Sequence, residues 1–405
     1  MMRLVEIAKL NMGQSPPSAS YNDIGEGLPF YQGKTDFGFI NPVPRKYCNE
    51  SSKIADKGDI LISVRAPVGP VNIADDKCCI GRGLAAIKAS KADQLFLYFN
   101  LIYQESFIAS LGTGSTFKAI NKSQLENVII PNISLPEQRK IAHVLSTVQK
   151  AIGQQDKLIR TTTELKKALM QKLFTEGTRG KPQKETEIGL VPVSWDVVEL
   201  RKHSYIRTSF PTFNKLTAKY KSVEQGTEFF FLKVSDMNIA GNEIFIYESN
   251  NKFLNDRPTD FANGFIKPNS LIFPKRGAAI STNKKRITTK YSVLDPNLIG
   301  VEPNSNIDAK FLYNFFEMFD LSSLQDNNVI PQLNKHNVAG VKFPLPSIEE
   351  QRSISKYIEN FDNKITIIDK KKQTLNDLFK TLLYELMTGQ RRVHELEFEN
   401  MEEFQ

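Results

Sequence analysis

From Ile354 onward, apolar residues recur in alternating steps of four and three: Ile354, Ile358, Phe361, Ile365, Ile368, Leu375, Phe379, Leu382 and Leu386, with Lys372 as the polar interruption. That spacing keeps one narrow stripe of a helix apolar, as a coiled-coil seam requires. A weaker seam in the same phase runs through Ile141, Leu145, Val148, Ile152, Gln155, Ile159, Thr162, Lys166, Leu169 and Leu173. The two copies lie 213 residues apart, and "LPEQRKIAHVL" (Leu135 to Leu145) sits over "IEEQRSISKYI" (Ile348 to Ile358) without a gap. The match begins earlier still, where "AINKSQLENVIIP" from Ala119 lies over "QLNKHNVAGVKFP" from Gln332.

Ser134 with Glu137, and Ser347 with Glu350, form Ser-x-x-Glu capping boxes, in which hydroxyl and carboxylate satisfy the N–H groups left free at a helix start. Gly177 and Gly389 mark the matching ends, since glycine readily leaves the helical backbone conformation. Two helices of about 40 residues, each ~60 Å long, are expected.

The chain therefore reads as a globular segment (1–133), a helix (134–177), a linker (178–194), a second globular segment (195–346), a second helix (347–389) and an acidic tail (390–405). Parallel helices would force the short linker to return along a full helix length at near-maximal extension. Antiparallel pairing needs no such reach. The expected fold is α+β: two globular domains separated by two long antiparallel helices that form a coiled coil, with a pseudo-twofold internal repeat.

The globular segments share a pattern of short strands and helices. "KGDILISVRAP" (Lys57 to Pro67) reads as a turn, a buried strand and Arg65 at its exit; "KPNSLIFPKRG" (Lys267 to Gly277) repeats this with Lys275 and Arg276. "ADQLFLYFNL" and "IDAKFLYNFF" follow as helix-like stretches sharing an Asp and Phe-Leu-Tyr. One fold is used twice with different surfaces.

Composition changes this picture in few places. At 405 residues the chain is too long for one ordinary core, and 40% hydrophobic with 24% charged residues is typical of folded domains. Lys and Arg outnumber Asp and Glu by 53 to 45, which favours a polyanionic partner. Glu6 and Lys9 interrupt any signal-peptide core, and no apolar run would span a bilayer, so the expectation is a cytoplasmic protein with no membrane contact.

Cys48, Cys78 and Cys79 lack a metal-ligand pattern, and the four His are scattered. "LGTGSTFK" (Leu111 to Lys118) lacks the glycine-lysine-serine ending of a phosphate loop, and no amino-methyltransferase motif is present. Neither a catalytic residue nor a metal site is expected.

A two-headed chain with unlike heads fits an asymmetric double-stranded DNA site, because protein pseudo-symmetry matches that of the duplex and the rod sets half-site spacing. Basic and amide-bearing loop residues are the DNA-binding candidates. In the first segment these are Gln14, Ser15, Lys34, Arg65, Arg82 and Lys118; in the second, Lys233, Lys275, Arg276, Asn283, Lys284, Lys285 and Arg286. Arg suits guanine and Asn suits adenine in the major groove, while most Lys should meet phosphates. The run from Asn283 to Arg286 reads as a phosphate patch.

"GSTFKAINKSQLENVIIPNISLPEQRKIA", "EIGLVPVSWDVVEL" and "FPLPSIEEQRSI" make the sequence resemble the specificity subunits of type I restriction-modification enzymes. The resemblance implies two target-recognition domains, each reading half of a bipartite site, and helices that dock two methyltransferase subunits and, through them, motor-nuclease subunits. S-adenosylmethionine, ATP and magnesium would belong to those partners. Arg139 and Arg352, near the helix starts, are candidate docking residues. The alternatives are a stand-alone two-headed DNA-binding protein or regulator, and a coiled-coil scaffold that binds proteins.

Overall fold

Both seams become long helices, Leu135–Glu176 and Ile348–Thr388. The computed structural model describes residues 1–50, 53–113, 118–208, 213–219, 227–255, 265–326 and 328–393. Every seam position on both helices is buried or half-buried, the polar Gln155 and Thr162 included. Leu158, Leu165 and Ile367, off the seam, are exposed.

By contact the chain divides into two units, Met1–Ile159 with Ile367–Gln405, and Arg160–Thr366, so each unit holds one globular segment and part of both helices. In the first unit, Ile141 and Leu145 from the start of one long helix share a core with Leu382, Leu386 and Met387 from the end of the other. In the second, Met170, Leu173 and Phe174 share a core with Ile354 and Ile358. Start meets end within each unit, which is antiparallel pairing.

The two seam lysines are matched by carboxylates on the opposite helix: Lys372 pairs with Asp156 at 2.6 Å in the first unit, and Lys166 with Asp362 in the second. A cation is tolerated at a seam when an opposite charge meets it there.

The globular parts are built on one topology. In the first unit a four-stranded sheet runs in the order Ala8–Met12, Leu84–Ala89, Ile60–Ser63, Val71–Ile73. In the second unit the corresponding order is Ser204–Thr208, Leu298–Pro303, Leu271–Pro274, Arg286–Thr288, with Phe245–Ile246 added at the edge.

Each unit has a second sheet containing a parallel pair, Leu28–Tyr31 with Cys78–Ile80 in one and Thr227–Leu232 with Ser292–Leu294 in the other. Ile60–Ser63 and Leu271–Pro274 are buried at every position, as expected of strands covered on both faces.

Both Ser-x-x-Glu boxes form only by half. The hydroxyls of Ser134 and Ser347 accept from Glu137 N at 3.4 Å and Glu350 N at 3.3 Å. The carboxylates turn elsewhere, to cations in the segment that follows the other helix. Glu137 pairs with Arg392 at 3.0 Å, and Glu350 with Lys181 at 2.7 Å and the Trp195 indole at 3.0 Å. A charged partner is a stronger attraction than a backbone N–H.

The chain beyond the second helix is therefore held, with Val393 only 2% exposed in the first core. Of the expected tail, 390–405, residues 394–405 lie outside the described residues, as does the centre of "LGTGSTFK", 114–117.

Candidate nucleic-acid interface

Each globular part is fastened to its long helix by the same buried glutamine. Gln138, in the first turn of Leu135–Glu176, accepts from Asp93 N at 2.8 Å and donates to Ile133 O at 2.9 Å. Gln351, one repeat later, accepts from Asp308 N at 2.8 Å and donates to Pro346 O and Asn306 O, both at 2.9 Å. The glutamines are 2% and 0% exposed.

Asp93 and Asp308 are themselves N-caps, accepting from Phe96 N and Phe311 N at 2.9 Å, and so start the helices Gln94–Tyr103 and Ala309–Glu317 that carry the repeated Phe-Leu-Tyr. Sequence reasoning passed over these glutamines, although both copies place Gln between Glu and Arg.

The frame also repeats at the strand exits. Arg65 bridges Ala119 and Arg276 bridges Gln332, two partners separated by the same 213 residues as the helices. Ile120 N donates to Val64 O at 3.0 Å and Leu333 N to Lys275 O at 2.8 Å, completing the equivalence. Arg65 and Arg276 are both exposed.

In the first unit, four of the six predicted DNA-binding residues line one cleft of about 340 Å³: Ser15, Lys34, Arg65 and Arg82, together with Gln32 and Thr35. Among the described residues no carboxylate lines it. Gln14 is exposed next to Ser15, its N–H bonded to Ile80 O at 3.0 Å. Lys118 is exposed and adjoins Ala119, the bridge partner of Arg65.

The second unit treats its predicted residues differently. Arg276 is exposed, and half-buried Lys275 has its ammonium pushed below the usual range by burial and by Arg276. Lys233 is half-buried and reaches Asn251 Oδ1 at 3.5 Å.

Of the expected phosphate patch at 283–286, Lys285 is buried out of reach of a ligand, and its neighbours bond within the domain. Asn283 takes a left-handed turn (φ 53°), accepts from Leu321 N at 3.0 Å and donates to Phe319 O at 3.3 Å. That reversal sends Lys285 inward, 1% exposed, to donate to Phe319 O at 2.9 Å. Burial pushes its ammonium down to about 8, against the pull of Glu317 and Asp320. Arg286 donates to Met237 O at 2.9 Å and Lys285 O at 2.7 Å, and Lys284 bonds to Asn238. Asn283, Lys285 and Arg286 brace a corner of the domain, because a loop carbonyl in the interior must find a donor.

Arg139 and Arg352, the predicted docking residues, are exposed immediately after the buried glutamines. Among the described residues no cluster of three or more His, Cys, Asp or Glu is arranged to hold a metal, and no helix is long and apolar enough to cross a membrane.

A chain with one frame built twice, one pair of long antiparallel helices and cationic loops defines a class. The family model for the type I restriction modification DNA specificity domain matches residues 1–161 and 196–377, and the chain belongs to that family. It is 49% identical over 175 residues to the putative type I restriction enzyme MjaX specificity subunit of Methanocaldococcus jannaschii, covering 43% of this chain and 41% of that protein. To the MjaVIII specificity subunit of the same organism it is 28% identical over 321 residues, covering 76% and 72%.

Among solved structures, the S subunit from M. genitalium shares the fold, with a TM-score of 0.60 at 17% identity over 95% of both chains.

Proposed function

We propose that this chain is the DNA specificity subunit of a type I restriction-modification enzyme. Each globular segment reads one half of an asymmetric bipartite site in double-stranded DNA. The long helices set the distance between the halves and dock two methyltransferase subunits, with motor-nuclease subunits joining through them. Methylation and cleavage, with their S-adenosylmethionine, ATP and magnesium, belong to those cytoplasmic partners, and this chain supplies recognition.

The observation that carries the reading is the doubled frame: Gln138 with Asp93 and Gln351 with Asp308 hold two domains of the same topology whose cationic loops differ. Like frames with unlike surfaces suit a site with unlike halves.

Co-expression with the methyltransferase subunit, followed by sequencing of methylated positions in host DNA, tests this. A bipartite motif with an unread spacer is expected. Inserting four residues into the first long helix should lengthen it by ~6 Å and widen the preferred spacer by about one or two base pairs. An unchanged spacer would contradict the role of the helices, and DNA binding that persists without any methyltransferase association would favour a stand-alone binding protein.

A further inference from the structure

We propose that Arg82 reads a guanine in the half-site of the first domain, with Lys34 beside it holding phosphate; the assignment rests on the DNA-specificity reading above. The loop that carries Arg82 is tied to its neighbours by hydrogen bonds on both sides of the arginine. Gly81 N donates to Tyr31 O at 2.8 Å, Leu84 N to Gly81 O at 3.0 Å, and Val64 N to Gly83 O at 2.9 Å. Arg82 N itself donates to Ser15 Oγ at 3.3 Å.

Glycines bring the neighbouring backbones into contact around it. A Cβ at Gly83 would stand 2.2 Å from Gln32 O, and one at Gly13 2.2 Å from Gly81 O. Three chain segments thus lock the base of one side chain.

The side chain itself is free. Among the described residues the Arg82 guanidinium has neither a hydrogen bond nor an ion pair, and it is exposed in a cleft whose other polar walls are Ser15, Gln32, Lys34, Thr35, Ser63 and Arg65. A planar, doubly donating group on a backbone held by hydrogen bonds and close packing matches the O6 and N7 acceptors of guanine, and little backbone ordering remains to be done on binding. Lys34, a point charge exposed on the short turn Lys34–Asp36, suits a phosphate. The second unit has turned Lys285 and Arg286 inward, so the first domain bears the more exposed set of cations in the predicted loops.

The test uses the complex of the full chain with its methyltransferase subunits, on duplexes carrying the mapped motif and every single-base variant of it. Arg82→Gln should lower discrimination at one guanine-cytosine pair of one half-site by about tenfold or more, leaving other positions unchanged. Arg82→Lys should relax the same pair while keeping most of the affinity. Lys34→Ala should weaken all duplexes alike and reduce the salt slope by about one.

If Arg82→Gln weakens all variants equally, or leaves every preference intact, the assignment is overturned. A wild-type complex with no bipartite motif at all would instead overturn the specificity reading and this assignment with it.

Discussion

The first globular part leaves Lys34, Arg65 and Arg82 open around one cleft, whereas the second folds Lys285 and Arg286 into its own interior. The two domains nevertheless share strand order, N-capped helices and the glutamine that ties each to its long helix. The comparison separates two uses of positive charge that look alike in a sequence. A cation whose neighbours satisfy one another is left for a ligand; a cation beside an unpaired buried carbonyl becomes part of the frame.

The frame is where the largest effects are expected. Gln351→Leu leaves Asp308 N–H and the carbonyls of Asn306 and Pro346 without their partner, at a cost of about 3 kcal/mol or more in stability. Gln138→Leu orphans two groups, and about 2 kcal/mol is expected. Urea unfolding measures both, and the single tryptophan, Trp195, buried in the second unit, reports that unit by fluorescence. Equal and negligible losses would show that the repeated hydrogen bonds are incidental.

Lys285 gives a sharper contrast with Lys34. Its folded value near 8 lies below the ordinary 10.5, so between those two values the unfolded chain binds more protons than the folded one. The contribution of Lys285 to stability should therefore climb as pH rises through that window, while Cys78 and Cys79, whose thiols burial pushes up from 9.0 to about 12, oppose it in its upper part. Lys285→Met should flatten the rise, and Lys34→Met should leave it unchanged. The same pH profile of the urea midpoint in the wild type and in Lys285→Met would contradict the burial of Lys285.

A smaller effect is expected at Glu350. Burial opposes its charge, but Lys181, the Trp195 indole and Thr178 N–H outweigh that and hold the carboxyl below its ordinary 4.5. The stabilisation is present above that value and is lost as pH falls through the folded one. Glu350→Gln should cost about 1 kcal/mol at neutral pH and reduce the acid sensitivity of the Trp195 signal. An unaltered acid transition would remove this anchor from the account.

How far the sequence revealed all this depended on whether the signal was periodic or singular. The seams were legible because each position repeats its burial, so even Lys166 and Lys372 could sit in phase before their aspartate partners were known. The equivalence of Arg65 and Arg276 was legible from strand-then-cation order, and both occupy matching strand exits.

Gln138 and Gln351 were passed over because an amide in a first helical turn usually faces water, and the N–H groups they meet lie 45 and 43 residues earlier in the chain. Lys285 was misread for a related reason: four polar residues in a row signal a surface, and the left-handed turn at Asn283 that inverts the run has no marker beyond the asparagine itself.

The central claim is that two dissimilar readers are mounted independently on one repeated frame. It is tested most directly by exchanging residues 1–133 for the corresponding segment of another family member and sequencing the methylated sites. Replacement of one half of the motif, with the other half and the spacer retained, is the predicted result. Alteration of both halves together would contradict it.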